Sequence, residues 1–188
     1  MSTKWFSRIA EGILREAGIG KGQIILDFGC GSGNYAIPAA EIIGSEGWIY
    51  ALDKNERALS ELRRRAELSG LENVRIINAG IDSELPLQSH FVDAVFLFDV
   101  LHSYYFPLSS DRKAVLYEVY RVLKVDGFVL FYAGDPEVYH SHSELNAIRK
   151  EIKDAEFYLE SECCGMIIHE DKLEEGCVLR FSRRNRRG

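Results

Sequence analysis

Short apolar runs alternate with amphipathic segments along most of the chain. The runs have the length and residue types of buried strands and lie at Ile24–Phe28, Trp48–Leu52, Val74–Asn78, Ala94–Phe98 and Gly127–Tyr132. Before and between them, apolar positions recur at intervals of three and four, which predicts helices at 4–17, Tyr35–Ile43, Asn55–Gly70 and Asp111–Leu123. Strands that alternate with helices favour right-handed crossovers on a parallel sheet.

The last part of the chain breaks this rhythm. A helix predicted at Ser143–Asp154 is followed by two strand-like stretches, Phe157–Ile168 and Cys177–Ser182, with a charged turn that carries Gly176 between them. Two such strands predict an antiparallel hairpin at one edge of the sheet.

The composition suits one globular domain without a membrane span. Of 188 residues, 46% are hydrophobic and 28% are charged, and no segment reaches the roughly 20 apolar residues that cross a bilayer. The amphipathic start lacks the apolar core of a signal peptide, so we expect a cytoplasmic protein. The net charge of −6 disfavours broad attraction to nucleic acid. The C-terminus is locally basic because five arginines lie there: Arg180, Arg183, Arg184, Arg186 and Arg187.

The cysteines follow no metal-binding or disulfide pattern. Four are present, at Cys30, Cys163, Cys164 and Cys177, without a C-x-x-C pair. The expectation is reduced thiols and no metal site. Neighbouring side chains on a strand point to opposite faces, so Cys163 and Cys164 are not expected to act together.

Three alternating glycines directly follow the first predicted strand. Gly29, Gly31 and Gly33 permit positive φ angles and leave backbone N–H groups open to a ligand, which predicts a nucleotide-binding loop. A dinucleotide fingerprint would place its third glycine at position 34, where the chain has Asn34. A phosphate-binding P-loop is excluded because no Gly-Lys-Ser/Thr follows.

An acid closes the second predicted strand. Asp53 is positioned to accept hydrogen bonds from the two hydroxyls of a ribose, as the acid beyond a dinucleotide loop does. The alternative is a local role, as a turn acid or helix cap.

These motifs together resemble the class I S-adenosylmethionine-dependent methyltransferases. The resemblance covers about residues 20–135 and rests on four segments in the family's order: Leu26–Gly33, Ala51–Asp53, Glu84–Val95 and Arg121–Gly127. It implies an α/β fold with a Rossmann-like, seven-stranded, mostly parallel sheet, helices on both faces and an antiparallel C-terminal hairpin. It also implies one methyltransferase domain over 1–188, with an N-terminal helix in 1–20, a cofactor-binding core in 21–135, and a C-terminal helix and hairpin with a basic tail in 136–188. Small-molecule enzymes of the quinone-biosynthesis type are the most similar subgroup.

The resemblance also implies which residues bind S-adenosylmethionine. The methionine end, the ribose, the adenine edge and the methyl sulfonium are assigned to Asp27, Gly29, Cys30, Gly31, Gly33, Asp53, Lys54, Gly80, Ile81, Asp82, Phe98 and Asp99. Asp27 would hold the methionine end. Phe98 and Asp99 would lie beside the sulfonium.

The acceptor side is less specific. His102, in the aromatic segment after the fourth strand, is the candidate catalytic base, and a packed loop histidine is the alternative. Tyr104 and Tyr105 are candidates for lining an apolar acceptor site. His140 and His142 have H-x-H spacing but no third ligand nearby in sequence, so no metal is expected.

The sequence therefore predicts in-line methyl transfer from S-adenosylmethionine to a small-molecule acceptor, by a monomer or homodimer. Two alternatives stay open. One is an RNA methyltransferase that uses the arginine tail, and the other is a non-catalytic protein that binds S-adenosylmethionine.

Overall fold

The computed structural model describes residues 3–80, 84–134, 142–169 and 172–184. The helices in these ranges are α1 (Thr3–Glu16), α2 (Ala36–Ile43), α3 (Glu56–Leu68), α4 (Ser109–Val122) and α5 (His142–Asp154). The strands are β1 (Ile24–Phe28), β2 (Trp48–Asp53), β3 (Val74–Asn78), β4 (Val92–Phe98), β5 (Leu123–Tyr132), β6 (Phe157–His169) and β7 (Lys172–Arg183). β5 and β7 begin several residues earlier than the apolar pattern predicts.

The strands form a single sheet in the order β3-β2-β1-β4-β5-β7-β6. β1 to β5 run parallel, while β7 is antiparallel to both β5 and β6. This confirms the predicted fold. The chain order reverses between β1 and β4, and in open α/β sheets a ligand-binding crevice forms beyond the carboxyl ends of the strands at such a point.

Helices cover both faces of the sheet. One apolar layer joins α1, α2 and α3 to the sheet, and the other joins α4 and α5 to its opposite face. Alternate residues of β4 divide between the two, with Phe96 in the first layer and Val95 and Leu97 in the second, all fully buried. A strand buried on both faces reads as a continuous apolar run, which is why β4 was recognisable in the sequence. In the described part of the chain, no helix is both long and apolar enough to span a bilayer.

The β6–β7 hairpin corrects the expectation that all cysteines are reduced. Cys164 and Cys177 lie directly opposite each other in the hairpin register and form a disulfide, with their Cα atoms 4.0 Å apart. A search for C-x-x-C pairs could not find it, because the partners are joined only by strand pairing. Cys163 is buried on the other face of β6 and, like the buried Cys30, is a free thiol.

We expect the disulfide to stabilise the fold. Replacement of Cys177 by alanine reopens a loop with a sequence separation of 13 residues, which should lower the free energy of unfolding by about 2–3 kcal/mol. Denaturant titration of both proteins without reductant measures the difference.

With a reductant present the two proteins should unfold at closely similar denaturant concentrations. A thiol assay of the denatured, unreduced wild type should find two reactive cysteines. Four reactive cysteines would contradict the assignment.

Candidate active site

A cavity of about 350 Å³ opens beyond the carboxyl ends of β1, β2 and β4. This is within the range of about 300–1,000 Å³ for small-molecule sites. Most of the residues predicted to bind the cofactor line it: Asp27, Gly29, Cys30, Gly31, Asp53, Lys54, Phe98 and Asp99. Gly33 supports the loop from behind, where an added Cβ would lie 2.3 Å from Leu62 Cδ1.

The glycine loop forms the floor of this cavity. Gly29 has a φ of +80°, and a Cβ there would lie 2.3 Å from Val100 Cγ1, so only glycine fits. Gly31 has a φ of +52°, and a Cβ at this position would meet no atom within 4 Å among the described residues. The loop is braced by Arg65, whose Nη1 donates to the Asn34 side chain at 3.0 Å. The open side of Gly31 therefore faces the space that a ligand would take.

Asp53 fixes the loop to the end of β2. Its Oδ2 accepts a hydrogen bond from the Gly31 N–H at 2.9 Å, and its Oδ1 accepts one from the Asn55 N–H at 2.8 Å. Asn55 in turn caps α3 through its side-chain oxygen. The local turn role considered for Asp53 is thus present. A carboxylate has about four acceptor positions and Asp53 lines the cavity, so the ribose role is compatible with these two bonds and stays a prediction.

Asp27 is a buried acid in the cavity wall. Asp27 is 3% exposed, and its Oδ2 atom has no hydrogen-bond partner among the described residues. Burial, assisted by the charge of Asp53, raises the pKa of the Asp27 carboxyl to about 7. A ligand that brings a cationic donor to this oxygen would supply the missing partner, and the ammonium group of S-adenosylmethionine is such a donor.

The opposite wall is built around Asp99, which follows β4. It has a φ of +55°, in the left-handed region that aspartate tolerates better than most residues. Its Oδ2 lies 3.1 Å from Nε2 of His169, at the end of β6. Gly134 packs against it so closely that a Cβ at position 134 would lie 2.1 Å from Asp99 Oδ1. The segment after β5 therefore helps to position Asp99.

His102, the predicted base, lies behind Asp99 and is not one of the described residues that line the cavity. It is 4% exposed, and its Nε2 lies 3.2 Å from Asp99 Oδ1 without the alignment of a hydrogen bond. Its ring also lies 4.8 Å from the Tyr105 ring. A catalytic role for His102 stays a prediction, and this geometry gives it contact with Asp99 instead of with the cavity.

The remaining predicted positions lie apart from the cavity wall or outside the described residues. Gly80 follows β3 and is not among the described residues that line the cavity. Ile81 and Asp82, assigned to the adenine edge, lie outside the described residues, as do His140, Arg186 and Arg187. Nothing is described of the His142 side chain.

The sequence did not single out several cavity residues. Tyr35, Tyr132, Ile168 and His169 all line the site. Tyr35 packs edge-on against Phe98 at 4.5 Å, and its hydroxyl donates to the Ile168 carbonyl at 3.0 Å. Burial raises the pKa of that hydroxyl, so it acts as a neutral anchor between α2 and β6. Tyr35 directly follows the glycine motif and was therefore findable, whereas no motif marks β6.

Comparisons with known proteins agree with this geometry. Residues 19–181 match the family model described as "Methyltransferase domain". The chain is 32% identical over 120 residues to demethylmenaquinone methyltransferase of Geobacillus kaustophilus, covering 64% of this chain and 49% of that protein. It is 36% identical over 107 residues to the enzyme of the same name from Listeria welshimeri, covering 57% and 43%.

A solved structure extends the likeness to the whole fold. A SAM-dependent methyltransferase from Aquifex aeolicus superposes with a TM-score of 0.72 at 20% identity, covering 97% of this chain and 98% of that one. At that identity the match speaks for the fold alone. The chain spans about half the length of the curated relatives it matches. The family match covers most of the chain, and the chain therefore belongs to the methyltransferase-domain family.

Proposed function

We propose that this protein transfers a methyl group from S-adenosylmethionine to a small molecule by in-line displacement. The observation that carries the proposal is Asp27, a buried carboxylate oxygen without a partner among the described residues, in a cavity floored by the glycine loop. An orphaned buried acid costs stability and is retained where a ligand completes it.

The residues present fit the cofactor. Asp27 would bind the ammonium group, the backbone of Gly29 and Gly31 would face the methionine end, and Asp53 would accept from the ribose hydroxyls. S-adenosylmethionine supplies an electrophilic methyl group on a sulfonium. The protein orients the acceptor and excludes water, and orientation alone contributes roughly 7–11 kcal/mol. Lys54 at the ribose and Gly80, Ile81 and Asp82 at the adenine remain part of the proposal.

The acceptor we propose is planar and partly apolar. Around Asp99 the cavity is walled by aromatic rings from Phe98, Tyr105 and Tyr132. Tyr105 also lines an adjoining cavity of about 700 Å³, so its ring lies where an acceptor would enter. The rings present apolar faces beside the polar groups Asp99 and His169, and such a wall suits a flat, partly apolar ligand. The relatives named for demethylmenaquinone make a quinone a suitable acceptor to test first.

Two arginines of the basic C-terminus, Arg180 and Arg183, give little support to the RNA alternative. The Arg180 guanidinium donates to Glu160 at 2.8 Å and to the Ala17 carbonyl at 2.8 Å. Arg183 donates to the Leu123 carbonyl at 2.8 Å and lies over the Tyr120 ring. These two arginines are engaged within the fold. They are therefore poorly placed to bind phosphates.

The test follows labelled methyl from S-adenosylmethionine into a cell extract. We expect the label in a small, ribonuclease-resistant and protease-resistant fraction. The Asp53→Ala variant, incubated in parallel, gives the background from spontaneous methylation. Monomer or homodimer and cytoplasmic location stay predictions.

Label in RNA would favour the tail-based alternative. Binding of S-adenosylmethionine without any labelled product would favour the non-catalytic one. Failure to bind it at all would refute the proposal.

A further inference from the structure

His169 lies between two carboxylates at the edge of the cavity. Its Nε2 is 3.1 Å from Asp99 Oδ2, and its Nδ1 is 3.2 Å from Glu174 Oε1. The three side chains come from different elements: the end of β4, the end of β6 and β7. His169 is 10% exposed, whereas Asp99 and Glu174 are 30% and 33% exposed. Both carboxylates are about equally exposed, and the imidazole joins Asp99, which lines the cavity, to Glu174, which is not among the described residues that line it.

This arrangement has a proton that can move. A neutral imidazole has one N–H, so it can donate to only one of the two carboxylates. Both contacts are satisfied only when the cluster holds one further proton, on the ring or on a carboxylate. A proton that arrives at Asp99 can thus be matched by one that leaves from Glu174, with the imidazole exchanging protons at both ends.

The surroundings of the cluster are polar, and they include Lys172, which lies opposite His169 in the hairpin register. The Tyr132 hydroxyl donates to Glu174 Oε1, and burial raises the pKa of Tyr132. Its ring meets the His169 ring edge-on. The other titratable groups that line the cavity are Asp27, Cys30, Tyr35, Asp53, Lys54 and Tyr105, and His102 lies behind Asp99.

We propose that Asp99, His169 and Glu174 form a proton-transfer chain that takes the proton an acceptor loses on methylation and delivers it to solvent. The inference rests on the proposed function. The acceptor's electron pair forms the bond to the methyl carbon, the sulfur keeps the pair of the bond that breaks, and the acceptor's proton goes to Asp99. Asp99 and His169 touch the cavity and are the catalytic residues in this scheme, while Glu174 is a positioning and exit residue. The acceptor class is then a hydroxyl, thiol or acidic C–H compound.

The first test needs no acceptor. Calorimetry in buffers of different ionisation enthalpy counts the protons released when a ligand binds. S-adenosylmethionine carries the sulfonium charge and S-adenosylhomocysteine does not, while both carry the ammonium group that faces Asp27. We expect the sulfonium to release more protons than the neutral thioether, because a positive charge beside the carboxylates opposes a proton on the cluster. The His169→Asn variant should lose that difference and still bind S-adenosylhomocysteine.

Glu175→Gln is the matched control, because it makes the same change as Glu174→Gln at the next residue of β7, which is exposed. Glu175→Gln should keep the difference in released protons, and Glu174→Gln should reduce it. An unchanged difference in His169→Asn would overturn the proposal. Absence of binding by the wild type would instead refute the proposed function.

A second readout uses the labelled small-molecule fraction. His169→Asn should slow label transfer by about 100-fold, with binding of S-adenosylhomocysteine unchanged. A variant that transfers label as fast as the wild type would overturn the proton chain while leaving methyl transfer intact.

Discussion

Replacement of Asp27 by asparagine is expected to make the protein more stable at pH 8 and to weaken its binding of S-adenosylmethionine. The pKa of Asp27 rises from an ordinary 3.8 to about 7 on folding. A raised folded-state pKa means that stability is fully present below about pH 4 and is lost as the pH rises to about 7. The loss at pH 8 is about 4 kcal/mol. Asparagine removes this titration, and the stability of the variant should vary less over that window.

The same substitution removes the acceptor for the cofactor's ammonium group. The dissociation constant should therefore rise by about 10- to 100-fold. Asp93→Asn is the matched control, because both Asp93 oxygens are paired, with Lys124 Nζ at 2.8 Å and the Ile24 N–H at 2.8 Å. It should be less stable than the wild type. Urea titrations from pH 4 to 8 measure the free energy of unfolding of the two variants and the wild type. An Asp27→Asn variant less stable than the wild type at pH 8 would contradict the assignment.

Replacement of Asp53 by alanine is expected to reduce the affinity for S-adenosylmethionine by at least about 100-fold. The carboxylate holds the Gly31 and Asn55 N–H groups and would bind the ribose, and each hydrogen bond to a charged group contributes about 1.5–3 kcal/mol. The substitution removes the hydrogen bonds that shape the loop and also the proposed ribose contact. Titration calorimetry measures the dissociation constant.

Asp126→Ala tests whether the effect is specific. Asp126 is an exposed acid where β5 enters the sheet, at the end opposite the cavity. It has the same charge as Asp53, so its loss changes the net charge equally. The affinity of the Asp126→Ala variant for S-adenosylmethionine should match that of the wild type. Equal binding by all three proteins would exclude Asp53 from the cofactor site.

The cavity wall around the glycine loop was predictable from sequence because its parts are local in the chain. Gly29 and Gly31 follow a buried strand directly, and Asp53 ends the next strand, so spacing alone brings them to one edge of the sheet. The β6–β7 hairpin was predicted for a similar reason. Its second strand begins earlier than expected, because the charged residues from Lys172 to Glu175 pair with β6 and carry no apolar signal.

The acceptor side was not predictable because its contacts join distant segments. Asp99 and His169 are 70 residues apart, and only the antiparallel placement of β7 and β6 brings them together. His102 is near Asp99 in sequence and was favoured for that reason. In the structure its ring is buried and packs against Tyr105, and it is not among the described residues that line the cavity. The Cys164–Cys177 disulfide was not predicted because the spacing of residues along the chain does not show which residues of two strands lie opposite each other.

Gly134 follows β5 and packs directly against the Asp99 carboxylate. Any side chain at position 134 would collide with Asp99 and drive its carboxylate away from His169. A single substitution at a residue with no functional group of its own would thus disconnect the acid from the histidine. The contact between Asp99 and His169, and with it the proposed proton transfer, therefore depends on the absence of a side chain at position 134.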